Sequence, residues 1–208
     1  MERKRVGIAL FEDVEVLDFC GPFEVFSVTR LNEGRRREEA SPFEVLLVAE
    51  CPGPVTATGG MTVLPHYLFE NCPRLDVIVA PGGWGTRREV MNPIMLRWLR
   101  DRAKEAETVT AVCTASMLLG FAGILDGLHA TTHWRSLDWM RNSLPLVTVE
   151  YDKHFVEDGR VFTSAGISAG IDMALKVVAR YFGEEIARAT ARHMEYPYPE
   201  GDARRIRL

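Results

Sequence analysis

Four short runs of apolar, β-branched residues constrain the fold of this chain more than any other feature. They are "RVGIALF" (5–11), "FEVLLVAE" (43–50), "DVIVAPGG" (76–83) and "TVTAVC" (108–113). None alternates apolar with polar residues, so both faces of each strand are expected to be buried, as in a parallel sheet. Helical patterns fill the gaps, over about 17–31, 92–105 and 114–122. Strand–helix alternation of this kind predicts a three-layer α/β/α sandwich, flavodoxin-like, with a mainly parallel sheet and right-handed crossovers.

The second half reads less uniformly. "HATTHW" (129–134) is expected to be a strand and "RSLDWMRNSL" a short helix. Residues 146–166 read as a β-hairpin around Asp158-Gly159, and 56–65 as a smaller one. Helices are expected from about Ile167 to Phe182 and from Glu184 to His193. The Pro-broken, charged segment 196–208 reads as a tail, disordered or docked on a partner, after a single domain over 1–195.

Composition narrows the function classes. The net charge is −4, from 25 basic and 29 acidic side chains, and does not suggest a phosphate-backbone partner. The one dense basic run, Arg35-Arg36-Arg37, leads directly into Glu38-Glu39 and reads as a solvated loop. No apolar run approaches the roughly 20 residues needed to span a membrane. The opening apolar run is broken by Glu12 and Asp13, unlike a signal peptide. Cys20, Cys51, Cys72 and Cys113 are irregularly spaced without a C-x-x-C pair, against a zinc site or a disulfide framework. A cytoplasmic setting, no nucleic-acid or membrane partner and a small-molecule substrate are expected. Neither a P-loop nor G-x-G-x-x-G is present, and no cofactor or metal is expected.

The chemistry centres on "AVCTAS". Cys113 ends a strand and opens a helix, at the sheet edge where open α/β folds bind ligands. A sharp strand-to-helix turn needs small neighbours, which Ala111, Ala115 and Ser116 supply. The following helix N-terminus is expected to lower the thiol pKa; an inert core thiol is the plainer reading. Gly82 and Gly83, after another strand, let the backbone approach a ligand and aim N–H groups at it, or simply make a tight turn. Pro22 suits a first helical turn, which puts Asp18 near a helix N-terminus among Val16, Leu17 and Phe19. Asp18 is then either an N-cap or a half-buried acid with a raised pKa. Glu15 and Glu24 read as solvated charges, and Cys20 as a small buried hydrophobe. His129 and His133 lack an apparent third ligand, so metal binding is not expected; His133 reads as a pocket-lining or packed side chain. "GISAG" (166–170) allows close helix packing near the pocket.

These pieces, in this order and over nearly the whole chain, resemble the ThiJ/PfpI superfamily of class I glutamine-amidotransferase-like proteins. The resemblance implies a nucleophilic cysteine at an elbow, Cys113, contacted by an acid from the first strand–helix region, Asp18. Thr114 stands where protease-like members carry histidine. Asp18 with Cys113-Thr114 and "ATTHW" looks most like the branch that hydrates isonitriles, although many of its members have glycine where Ala115 stands. The branch implies a lyase in which Cys113 attacks the isonitrile carbon and Asp18 handles a shared proton; an ionised Asp18 would raise the thiol pKa against the helix N-terminus, so the pair is expected to titrate as a unit. Thr114 would orient substrate or water, and backbone N–H groups at Gly82, Gly83 and Thr114 would form an oxyanion-type site. It also implies a homodimer. The same scaffold serves glyoxalase- or deglycase-type cysteine enzymes, redox sensors and the N-terminal half of AraC-type regulators.

Overall fold

A computed structural model describes residues 2–206. The chain runs β1 (Lys4–Leu10), α1 (Val16–Val28), β2 (Phe43–Ala49), β3 (Val55–Thr56), β4 (Thr62–Val63), β5 (Tyr67–Leu68) and β6 (Val77–Ala80). It continues α2 (Thr86–Glu89), α3 (Pro93–Glu105), β7 (Thr108–Val112), α4 (Ala115–Phe121), β8 (His129–Ala130) and α5 (Leu137–Ser143). Last come β9 (Thr148–Val149), β10 (Phe155–Asp158), β11 (Val161–Ser164), α6 (Ala169–Phe182) and α7 (Glu184–His193).

Seven strands form one sheet in the order β10-β11-β7-β6-β1-β2-β5. All neighbours are parallel except the β10–β11 hairpin at one edge. Helices α1, α6 and α7 pack together, and α3 packs with α4 in a second layer. Central strands β6 and β7 are buried at every position, which explains their unbroken apolar sequences. Phe26 meets Phe43 edge-on at 4.9 Å between ring centres, fixing α1 to β2. Asn92 caps α3 by accepting from the Ile94 and Met95 N–H groups, and Pro93 takes the first helical position, where no N–H is needed.

Several expectations change. Pro22 lies inside α1 rather than in its first turn. The helix starts at Val16, so Asp18 is in the first turn, while Glu15 occupies the N-cap position. A proline there cannot donate to the Asp18 carbonyl one turn back, and packing of the helix against α6 outweighs that loss. The strand in "HATTHW" shrinks to His129–Ala130 and pairs with Thr148–Val149 outside the main sheet. The hairpin is correspondingly shorter, Phe155–Asp158 with Val161–Ser164. Edge strand β5 was not expected; at two residues it is too short for periodicity to register.

The tail packs on the chain's own body. Arg204 donates to Thr131 Oγ1 and to the carbonyls of Thr132 and Tyr151, and Arg205 pairs with the buried Asp172 at 3.0 Å. Arg207 and Leu208, the end of that predicted tail, lie outside the described residues. Arg35 and Arg36 form ion pairs with Glu38, Glu39 and Glu33.

The topology itself places a crevice. From β1 the chain builds outward to β2 on one side and to β6 and β7 on the other, so the loops after β1 and β6 diverge at the carboxyl edge. Asp18 follows β1, Gly82 follows β6, and Cys113 follows β7.

Candidate active site

Cys113 sits between β7 and α4 with φ of 59°, a left-handed backbone conformation that is costly for a residue with a Cβ. Both of its backbone groups are pinned. Its N–H donates to the Ser164 carbonyl at 3.1 Å, and its carbonyl accepts from the Thr132 hydroxyl at 2.8 Å. Neighbouring β11 and the segment after β8 thereby hold the turn in place. Ala115 and Ser116 are fully buried beneath it, consistent with the need for small side chains.

Asp18 has no solvent exposure. Its Oδ2 accepts from the Gly82 N–H at 2.9 Å, whereas Oδ1 has no hydrogen-bond partner. Burial pushes this carboxyl well above the usual carboxylate range; the nearby Glu15 charge adds to the rise, while the Gly82 N–H and the Cys113 thiol oppose it. Burial and then the Asp18 charge push the Cys113 thiol up as well, against the N–H and hydroxyl of Thr114. The expectation of a thiol lowered by its helix N-terminus is therefore reversed, because desolvation outweighs the few donors at a seven-residue helix. The titration of each group therefore depends on the state of the other.

Thr114 links the two loops. Its hydroxyl accepts from the Gly83 N–H at 3.0 Å and lies 2.9 Å from the Thr86 hydroxyl. The Gly82 and Gly83 N–H groups are thus engaged by Asp18 and Thr114, so they orient those side chains rather than standing open to a ligand. The groups left beside the sulfur are the N–H and the hydroxyl of Thr114. Residue 82 must be glycine: a Cβ would lie 2.5 Å from Thr114 Oγ1 and 2.9 Å from Asp18 Oδ2.

A cleft of about 170 Å³ opens over the sulfur, with Trp84, Arg87, His133, Arg135 and Ile167 among its walls. His133 lines it, accepts from the Arg135 N–H at 3.3 Å, and is held below its ordinary pKa by burial and by the nearby arginines. His129 instead meets Glu150, 2.6 Å away, and faces solvent. Cys20 is half-buried outside the cleft.

Sequence reasoning missed Glu15, Trp84, Arg87, Arg135 and Gly166. Glu15 lines the cleft rather than standing apart as a solvated charge. A Cβ on Gly166 would fall 2.6 Å from the Cys113 sulfur, so that glycine leaves room for the thiol. The signal was present in "GISAG", as a helix-opening glycine, but it did not reveal which atom the glycine approaches.

The isonitrile hydratase of Pseudomonas putida is 36% identical over 200 residues, 96% of this chain and 82% of that protein. The HTH-type transcriptional regulator CdhR of Pseudomonas aeruginosa is 35% identical over 65% of this chain, which spans 40% of the regulator. A ThiJ/PfpI family protein from Pseudomonas syringae superposes with a TM-score of 0.83 at 30% identity, over 97% of this chain and 78% of that one. No helix among the described residues is long and apolar enough to cross a membrane. The DJ-1/PfpI family model matches residues 4–180, from the start of β1 into α6, so the sheet, the Cys113 turn and Asp18 all lie inside the match: the chain belongs to the DJ-1/PfpI family.

Proposed function

We propose that this protein hydrates isonitriles to N-substituted formamides, with Cys113 as nucleophile and Asp18 as proton carrier. One observation carries the reading: a strained cysteine lines a small cleft, and a fully buried carboxyl with an orphaned oxygen lies close enough to its sulfur to shift its titration. The similarity to the Pseudomonas putida isonitrile hydratase over almost the whole chain supports the same substrate class.

An isonitrile carbon accepts both a nucleophile and a proton. The Cys113 sulfur forms a bond to that carbon, and the proton shared with Asp18 moves to the same carbon, giving a thioimidate, R–N=CH–S–Cys113. Water then adds to the carbon while Asp18 takes a proton from it and passes one to nitrogen. Collapse of this adduct forms the carbonyl, breaks the C–S bond and returns the proton to the Asp18–Cys113 pair. The sum is isonitrile plus water to formamide, with no oxidant or reductant. A neutral carboxyl suits the first step, since it can give a proton, and its raised pKa keeps it so. The Thr114 N–H and hydroxyl stabilise the sulfur as it leaves.

The test is to mix purified protein with alkyl and aryl isonitriles and follow formamide by mass spectrometry beside Cys113→Ala. Formamide from wild type alone is the expected result. No formamide above buffer, with turnover of methylglyoxal instead, makes it a carbonyl enzyme of the same family. Stable oxidation of Cys113 without turnover of any electrophile makes it a sensor.

A further inference from the structure

The cleft over Cys113 carries two arginines that the reaction does not use. Arg87 lies on α2 and Arg135 in the turn after His133, and both line the cleft wall. Neither side chain forms an ion pair or hydrogen bond among the described residues. Their neighbours do: Arg88 pairs with Glu89 at 3.0 Å, and Arg141 with Asp138 at 3.2 Å.

Aromatic faces take the place of carboxylate partners. The Arg87 guanidinium stands 4.5 Å from the Trp84 ring centre and 5.8 Å from that of Trp139, and Arg135 stands 4.7 Å from that of Trp134. Stacking restrains a guanidinium while leaving its in-plane N–H groups free to donate. It also accounts for Trp84 and Trp134, which would otherwise be large aromatics exposed at 65% and 42% without a purpose.

The charge is distributed unevenly across the cleft. Glu15 is the one carboxylate among the lining residues, and its field falls on Asp18. The fields of Arg135, Arg204 and Arg87 fall on His133. The cleft lining therefore sets two guanidinium groups without ion-pair partners against one carboxylate.

The geometry points to a substrate that bears a carboxylate, held by Arg87 and Arg135 while its reactive carbon meets Cys113. This specificity rests on the isonitrile reading for the reacting group, but the anion-binding part stands without it. Donors in a fixed fork match a carboxylate, and the small cleft allows only a short spacer between the two groups.

The experiment compares isocyanoacetate with the neutral isocyanoacetamide in the wild type and in Arg87→Gln/Arg135→Gln. The expected result is a kcat/KM ratio of about tenfold or more in favour of the carboxylate, lost in the double variant and reduced by salt. Equal kcat/KM values, or a preference that survives the double substitution, overturn the proposal while leaving the hydratase reading intact. If neither compound reacts, turnover of the alkyl and aryl isonitriles decides the hydratase reading separately, and calorimetric titration of Cys113→Ala with the same two compounds decides this one. Tighter binding of the carboxylate, abolished by the arginine substitutions, supports it; equal binding or no binding overturns it.

Discussion

Asp18 gives one carboxyl oxygen to the Gly82 N–H at 2.9 Å and leaves the other buried without a partner. An ionised carboxylate would need that second oxygen solvated, so the arrangement favours the protonated acid.

This has a consequence for stability. The folded protein binds the Asp18 proton more tightly than the unfolded chain does. The contribution of Asp18 is therefore most favourable below the unfolded pKa, near 3.8, and is lost as pH rises through the higher folded value. Asp18→Asn keeps an oxygen for the Gly82 N–H and cannot ionise. Its Tm at pH 8 is expected to exceed that of wild type by about 2 °C or more, with the gap closing toward pH 4. Its isonitrile turnover is expected to fall by about 100-fold or more. Thermal scans across pH check the first, and a lower Tm at every pH contradicts it.

The backbone at Cys113 gives a second prediction. A left-handed residue with a Cβ costs roughly 1–2 kcal/mol, and glycine avoids this at roughly 0.4–1 kcal/mol of extra chain entropy. Cys113→Gly is therefore expected to be more stable than Cys113→Ala by about 0.5–1 kcal/mol in urea unfolding, with neither variant active. The reverse order would mean that the turn relaxes once the sulfur is gone.

Gly166 offers a steric test. Its substitution by alanine would put a Cβ 2.6 Å from the Cys113 sulfur and 2.8 Å from His133 Cδ2. Overpacking of this kind costs about 1–3 kcal/mol. Gly166→Ala is expected to lose that much stability and to slow alkylation of Cys113 by iodoacetamide by about tenfold or more. Alkylation at the wild-type rate would mean the sulfur does not occupy this position.

Thr132 tests what holds the turn. Thr132→Val removes the 2.8 Å bond to the Cys113 carbonyl, leaving Ser116 at 3.4 Å as the remaining side-chain donor. The loss is expected to cost about 1–3 kcal/mol in denaturant unfolding. A fall in kcat larger than any change in KM would mark Thr132 as positioning the nucleophile.

Regular elements were legible in the sequence where burial is regular. The unbroken apolar runs of β6 and β7 followed from strands covered on both faces, and the helical pattern over about 92–105 matches α3. Cys113 stood out because a strand pattern ends beside alanines, and Asp18 because it interrupts an apolar stretch. Trp84, Arg87, Arg135 and Gly166 were not legible. Trp84 and Arg87 line the cleft from one segment and Arg135 from another, while Gly166 approaches the Cys113 sulfur from a third, and their role depends on which segments the sheet order brings together. The raising effect of Asp18 on the Cys113 thiol was legible, but the larger effect of burial was not, because a local helix end is visible in sequence and the depth of burial is not.

The central claim is that the Cys113 sulfur bonds to the isonitrile carbon. The most direct measurement is intact-protein and peptide mass spectrometry of protein quenched in acid within milliseconds of mixing with an isonitrile, with Asp18→Asn in parallel. The account predicts an adduct equal in mass to the isonitrile, confined to the peptide containing Cys113. Formamide production with no adduct on Cys113, or an adduct on Cys20, Cys51 or Cys72 instead, would contradict it.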